Sequence, residues 1–133
     1  MPVRDLLRRW SRDRGGATAV EFAFVLPIAA MLVIGTMSAA QLLSVINGMH
    51  FAVEEAARCS AVNRTVCSSP SATAAYAAAR YVGGGTSPVF VANSTGCGHT
   101  VTARTNFELM IAVTTIDVPL SATSCFPGVD SAA

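Results

Sequence analysis

The sequence predicts an α+β protein. A long N-terminal helix spans a membrane, continues outward, and packs there against a small antiparallel sheet with a second short helix. Three observations carry this. From Phe22 to Val53 the chain holds no Asp, Glu, Lys or Arg, and roughly 20 such residues suffice to cross the ~30 Å hydrocarbon layer. Past about Ala40 the apolar residues fall at spacings of three and four, as on a one-sided helix. From Thr86 onward apolar and polar residues alternate, the period of a half-buried strand.

Residues 1–16, MPVRDLLRRWSRDRGG, form a basic leader. Leu6, Leu7 and Trp10 make one apolar face of a helical turn suited to a membrane surface. Gly15 and Gly16 are expected to end that turn and to leave an extended backbone open to a protease. Arg4, Arg8, Arg9, Arg12 and Arg14 stand here against Asp5 and Asp13, whereas four arginines face five carboxylates beyond Phe22. Positive charge is retained on the cytoplasmic side, so the N-terminus is expected inside and the rest exported. A membrane flank accounts for these arginines, and no nucleic-acid partner is called for.

Residues 17–40 are the transmembrane segment, with Pro27 removing one helical hydrogen bond and bending the axis. Gly35, Ser38, Ala39 and Ala40 are small enough to let like helices approach. Residues 41–61 continue the helix outward, with Leu42, Leu43, Ile46, Met49, Val53, Ala56 and Ala57 as its apolar stripe and Glu54 and Arg58 four apart on its exposed side. The whole helix runs from near Ala17 to near Ala61.

Residues 62–133 make one small exported domain. Asn63 to Ser69 reads as a loop; Ser69 then Pro70 is a helix start. Ser71 to Val82 follows as an alanine-rich helix whose packed face is read as Ala72, Tyr76, Ala79 and Val82, stopped by Gly83 to Gly85. Val89 to Ser94 and His99 to Thr105 are strands joined by a turn at Ser94 to Gly98. Phe107 to Val113, FELMIAV, is too short to assign by period. Ile116 to Ser124 is a final strand, demoted to an edge by Pro119, and Val129 to Ala133 is a tail. The sheet has three or four strands.

Four cysteines, Cys59, Cys67, Cys97 and Cys125, lie on the exported side, the pattern of two disulfides in an oxidising compartment. Proximity favours Cys59 with Cys67 and Cys97 with Cys125 over the two other connectivities. Cys97-Gly98-His99 lacks a second ligand cluster, and His50 stands on the long helix without a neighbouring cysteine, so neither a metal nor a reactive thiol is expected. The triplets at Asn63 and Asn93 match a glycosylation acceptor only weakly. Glu108, Asp117 and Asp130 are read as scattered, and no serine has a nearby base. No enzyme and no cofactor are expected.

Glu21 is the discordant residue, a carboxylate just inside the apolar run, where charge is costly unless paired or interfacial. Gly16-Ala-Thr-Ala-Val-Glu21-Phe22 resembles the processing site of type IV pilins and pseudopilins. The longer stretch from Arg14 to Ala61 resembles the TadE-like pseudopilins of the Tad (Flp-type) pilus system, through Val20-Glu21-Phe22-Ala23, Val25-Leu26-Pro27 and Glu54-Glu55-Ala56-Ala57-Arg58. The resemblance implies a pilin-like fold and cleavage between Gly16 and Ala17 by a prepilin peptidase, an aspartyl protease of the inner membrane. The second glycine, Gly15, leaves cleavage one residue earlier open. Processing would then rest on Gly15, Gly16, Ala17, Glu21 and Phe22, and assembly on Ala17, Glu21 and Pro27. In the assembled state Glu21 neutralises the new Ala17 ammonium of a neighbouring subunit, a pair that favours only good geometry.

The resulting expectation is a minor pseudopilin of the inner membrane. Its domain is periplasmic, and it primes, caps or limits the length of an adhesive pilus in or at the tip of which it stands. Its partners are the prepilin peptidase, other pilin subunits, the Tad inner-membrane platform and membrane lipid. The alternative is a disulfide-bonded binding module, secreted or membrane-anchored, with a signal peptide cut near Ala40, after Ser38-Ala39-Ala40. That leader would be unusually long and would be interrupted by Glu21.

Overall fold

The computed structural model describes residues 15–111 and 114–128. The leader turn expected at Leu6, Leu7 and Trp10, and the tail from Val129, lie outside them. Five elements follow in order: α1 (Gly15–Val62), α2 (Pro70–Arg80), β1 (Val89–Thr95), β2 (Gly98–Ile111) and β3 (Thr114–Phe126). This is the α+β composition expected. The chain forms two compact units, one up to Thr36 and one from Met37 onward, and α1 passes from the first into the second without interruption.

In the first unit α1 is helical from Gly15, which corrects the expectation of an extended backbone at Gly15 and Gly16. Once a long helix is nucleated, each further residue adds a hydrogen bond, and that gain outweighs a glycine penalty of about 1 kcal/mol. Pro27 sits inside the helix as expected. Large apolar side chains are exposed on every side here, Phe22, Phe24, Val25, Ile28, Leu32 and Ile34 among them. Such a surface is stable in lipid or against other helices, not in water.

The second unit has one core. From α1 come Val45, Met49, Val53, Ala56 and Ala57; α2 gives Ala77, and the sheet gives Val101, Ala103, Phe107 and Ala122. The predicted stripe is right at Met49, Val53, Ala56 and Ala57, and Leu42 packs partly against the core, but Leu43 does not belong to it. Leu43 is exposed, while Val45 and Ala52 are fully buried. In a charge-free stretch leucine and valine give no polar contrast by which to phase the helix.

The helix α2 begins as its sequence dictates, the Ser69 hydroxyl accepting from the amide of Ala72 at 3.2 Å, with Pro70 in the first turn. Its buried residues are Thr73 and Ala77, not the expected Ala79 and Val82, both of which are exposed. It ends at Arg80, ahead of the glycines. The Tyr81 amide still donates to Ala77 O at 3.1 Å, but its backbone has turned extended. That turn carries the Tyr81 ring towards Phe90, 6.2 Å away between centroids. Gly48 on α1 permits the approach, since a Cβ there would lie 3.1 Å from Val82 O and 3.2 Å from Tyr81 Cε2.

The sheet is antiparallel with β2 at its centre, in the order β1-β2-β3. The ambiguous run is strand over residues 107–111, with Phe107 paired to Val118, Leu109 to Ile116, and Ile111 to Thr114, and its last two residues lie outside the described ones. Pro119 stands in β3, an edge strand, where a missing N–H is tolerated. At the β1–β2 turn Gly98 has φ +131, and a side chain there would strike the backbone of Phe126 and Pro127. Hydroxyl pairs knit the face turned away from the helices, Thr95 to Thr100 at 2.7 Å and Thr102 to Thr123 at 3.2 Å.

Candidate functional site

The residues singled out for processing and assembly all fall in the first turns of α1, within the first unit. Ala17 and Glu21 are four apart and so share a face of the helix. The Glu21 side chain is exposed, and Phe22 beside it is 65% exposed. The expected partner of Glu21 is an ammonium on another molecule, which a single chain does not contain. Gly16 has open space around it: an added Cβ would meet no atom within 4 Å. Packing among the described residues therefore does not demand glycine at this position.

Both disulfides form as proximity suggests. Cys59–Cys67 ties the last turn of α1 to the loop before α2, and Cys97–Cys125 ties the β1–β2 turn to the end of β3. Among the described residues no cysteine is free, and no group of His, Cys, Asp or Glu has the arrangement to hold a metal ion. His50 is exposed on α1, while His99 is half-buried at the start of β2.

One reading of the carboxylates changes. Glu108 and Asp117, expected to be scattered, stand directly opposite each other on β2 and β3. Asp130 lies outside the described residues. The ambiguity of the 107–113 run concealed this pairing, because register cannot be read until both segments are known to be strands. A groove of about 530 Å³ in the second unit is lined by Ser87, Val89, Arg104, Asn106, Pro119 and Ser121 and is open to solvent. Arg104 is its one charged group, and no general base faces it.

These features define a class: an α+β protein with one N-terminal apolar helix long enough to span a membrane and a small domain reinforced by two disulfides. That span and composition fit a single-pass membrane protein. Within the class, residues 16–58 match the family model described as TadE-like protein, a likeness that covers about a third of the chain. The match begins at Gly16 and covers α1 almost to its end; α2 and the sheet lie beyond it. No curated protein and no solved structure gives a significant match to the chain.

Proposed function

We propose that the chain is a minor pseudopilin. It is made as an inner-membrane precursor with its N-terminus in the cytoplasm, cut by a prepilin peptidase between Gly16 and Ala17, and assembled through α1 with other pilin subunits on the Tad platform. Its work is structural, not enzymatic: it primes, caps or limits the growth of an adhesive pilus. Glu21 of one subunit neutralises the Ala17 ammonium of the next, and in low dielectric only a well-aligned pair is favourable, so register is enforced. The domain after Val62 adds bulk beside the helix and restricts how many copies stack.

The observation that carries this reading is where the family match starts. It opens on Gly16, the proposed scissile junction, and runs through the helix that would pack in the fibre. The rival cut near Ala40 is less favoured, because Ser38, Ala39 and Ala40 lie deep inside an unbroken helix. Opening the backbone there breaks i to i−4 hydrogen bonds on both sides.

Co-expression with a prepilin peptidase tests the reading. Gly16→Leu introduces bulk where no described residue lies within reach of an added Cβ, so it should leave the domain folded and the leader uncut. Glu21→Ala should be cut yet fail to co-purify with pilin subunits. Normal cutting of Gly16→Leu, or undiminished assembly of Glu21→Ala, would remove the basis for the proposal.

A further inference from the structure

The hairpin joining β2 and β3 has a feature that neither the fold nor the processing site uses. β1 accompanies β2 only from Gly98 to Arg104, so residues 105–111 and 114–120 continue as a two-stranded ribbon. A free two-stranded ribbon is marginal in water. Phe107 roots this one in the core, and Leu109 packs partly against it. Beyond them Met110 is 57% exposed, Ile111 48% and Ile116 47%. Among these residues and Thr114 and Thr115 there is no charge until Glu108 and Asp117.

The end of the unit at which this tip lies follows from cavities along the helix. His99 and Thr100 share a cavity with Ser60, near the last turn of α1. Leu120 and Ala122 share another with Ile46, Met49 and His50. The strand pair thus descends alongside α1 towards its residue-40 end. From Leu120 to Thr114 the strand covers ~20 Å at about 3.3 Å per residue. From Ile46–Met49 back to Ala40 the helix covers only ~9–14 Å at about 1.5 Å per residue. Even a strand tilt of about 45°, the upper end of what barrel strands show, would bring the tip level with Ala40.

We propose that the β2–β3 tip is a second membrane contact, in which Met110, Ile111 and Ile116 dip into the lipid surface from which α1 emerges. The inference rests on the reading that α1 spans the bilayer near Ala40. Lipid suits the tip because the exposed side chains are apolar, uncharged and level with a membrane exit in the same unit. Glu108 and Asp117 stop the insertion, since a carboxylate is not carried into hydrocarbon unpaired. Such a contact would restrain the domain to one orientation on the membrane.

The test uses the full-length chain in phosphatidylcholine vesicles whose acyl chains carry bromine near the headgroup. Trp10→Phe leaves no other tryptophan, and single tryptophans are placed at Met110, Ile116, Val91 and Leu32, each about half exposed or more. Met110→Trp and Ile116→Trp should lose emission relative to unbrominated vesicles and shift to shorter wavelength, as should Leu32→Trp within the span. Val91→Trp, opposite Thr102 on the far part of the sheet, should do neither. Quenching at Leu32 without quenching at the tip overturns the inference and leaves the spanning reading intact. A wavelength shift at the tip without quenching means that protein, not lipid, covers it, and also overturns it. Quenching at Val91 as well means a domain lying flat, which contradicts a tip contact. No quenching at Leu32 removes the spanning reading and the inference together.

Discussion

Replacing Met49 by alanine should detach the outer part of α1 from the sheet energetically while leaving both elements formed. Met49 is the largest fully buried side chain, 1% exposed, in a cluster that includes Val53, Val101 and Phe107. Truncating a buried methionine costs ~2–5 kcal/mol through lost transfer energy and an unfilled cavity. The same cluster includes Ala56, Ala57 and Ala103, which have no side-chain length with which to collapse into the space, so about 3 kcal/mol is expected. A domain of this size is stable by only ~5–15 kcal/mol, with small domains at the lower end. Near-UV circular dichroism in urea reads the transition through the tyrosines; Tyr76 and Tyr81 both pack against the core. The full-length chain in mild detergent is the sample. At 4–8 °C per kcal/mol for a domain of 60–100 residues, the thermal midpoint should fall by roughly 12–24 °C. The control is Leu43→Ala, six residues earlier in the predicted stripe yet 58% exposed, which should stay within about 0.5 kcal/mol of the parent. Equal losses at the two positions, or a Met49 loss below about 1 kcal/mol, would refute the packing described for α1.

Gly48→Val should destabilise by ~1–3 kcal/mol, because its Cβ would press on Val82 and Tyr81 where the chain crosses α1; the same urea titration reads it. Removing Cys97–Cys125, which spans 28 residues, should lower stability by ~3.6 kcal/mol, against ~2.5 for Cys59–Cys67, which spans 8, in the loop-entropy model; serine pairs measured side by side give the order. Ser69→Ala removes the cap on α2 and should cost about 1 kcal/mol, with amide exchange fastest at Ala72 and Thr73.

Much of this architecture is legible in the residues, for identifiable reasons. The extent of α1 follows from a charge-free apolar run continued by a one-sided apolar stripe, and the start of α2 follows from a serine cap and a proline. The disulfide partners follow because chain proximity limits the choices. Other features depend on tertiary contact. Alanines offer no amphipathic contrast, so the buried face of α2 was set by Thr73 and Ala77 meeting the core and not by Ala79 and Val82. Strand identity for 107–111 is fixed by pairing with β3, whose register is invisible in either segment alone. Gly48 marks a close crossing by a segment more than thirty positions away, and nothing local to it announces that role. Around the proposed junction the local sequence misleads, because the helical state of Gly15 and Gly16 follows from cooperativity along α1 and not from glycine propensity.

The most direct test of the central claim is the N-terminal residue and intact mass of the mature protein from its native host. An N-terminus at Ala17, with the leader through Gly16 gone, is the predicted result, and it would place Glu21 fifth in the mature chain. An N-terminus at Gln41, or an intact chain beginning at Met1 or Pro2, would contradict processing as a pseudopilin.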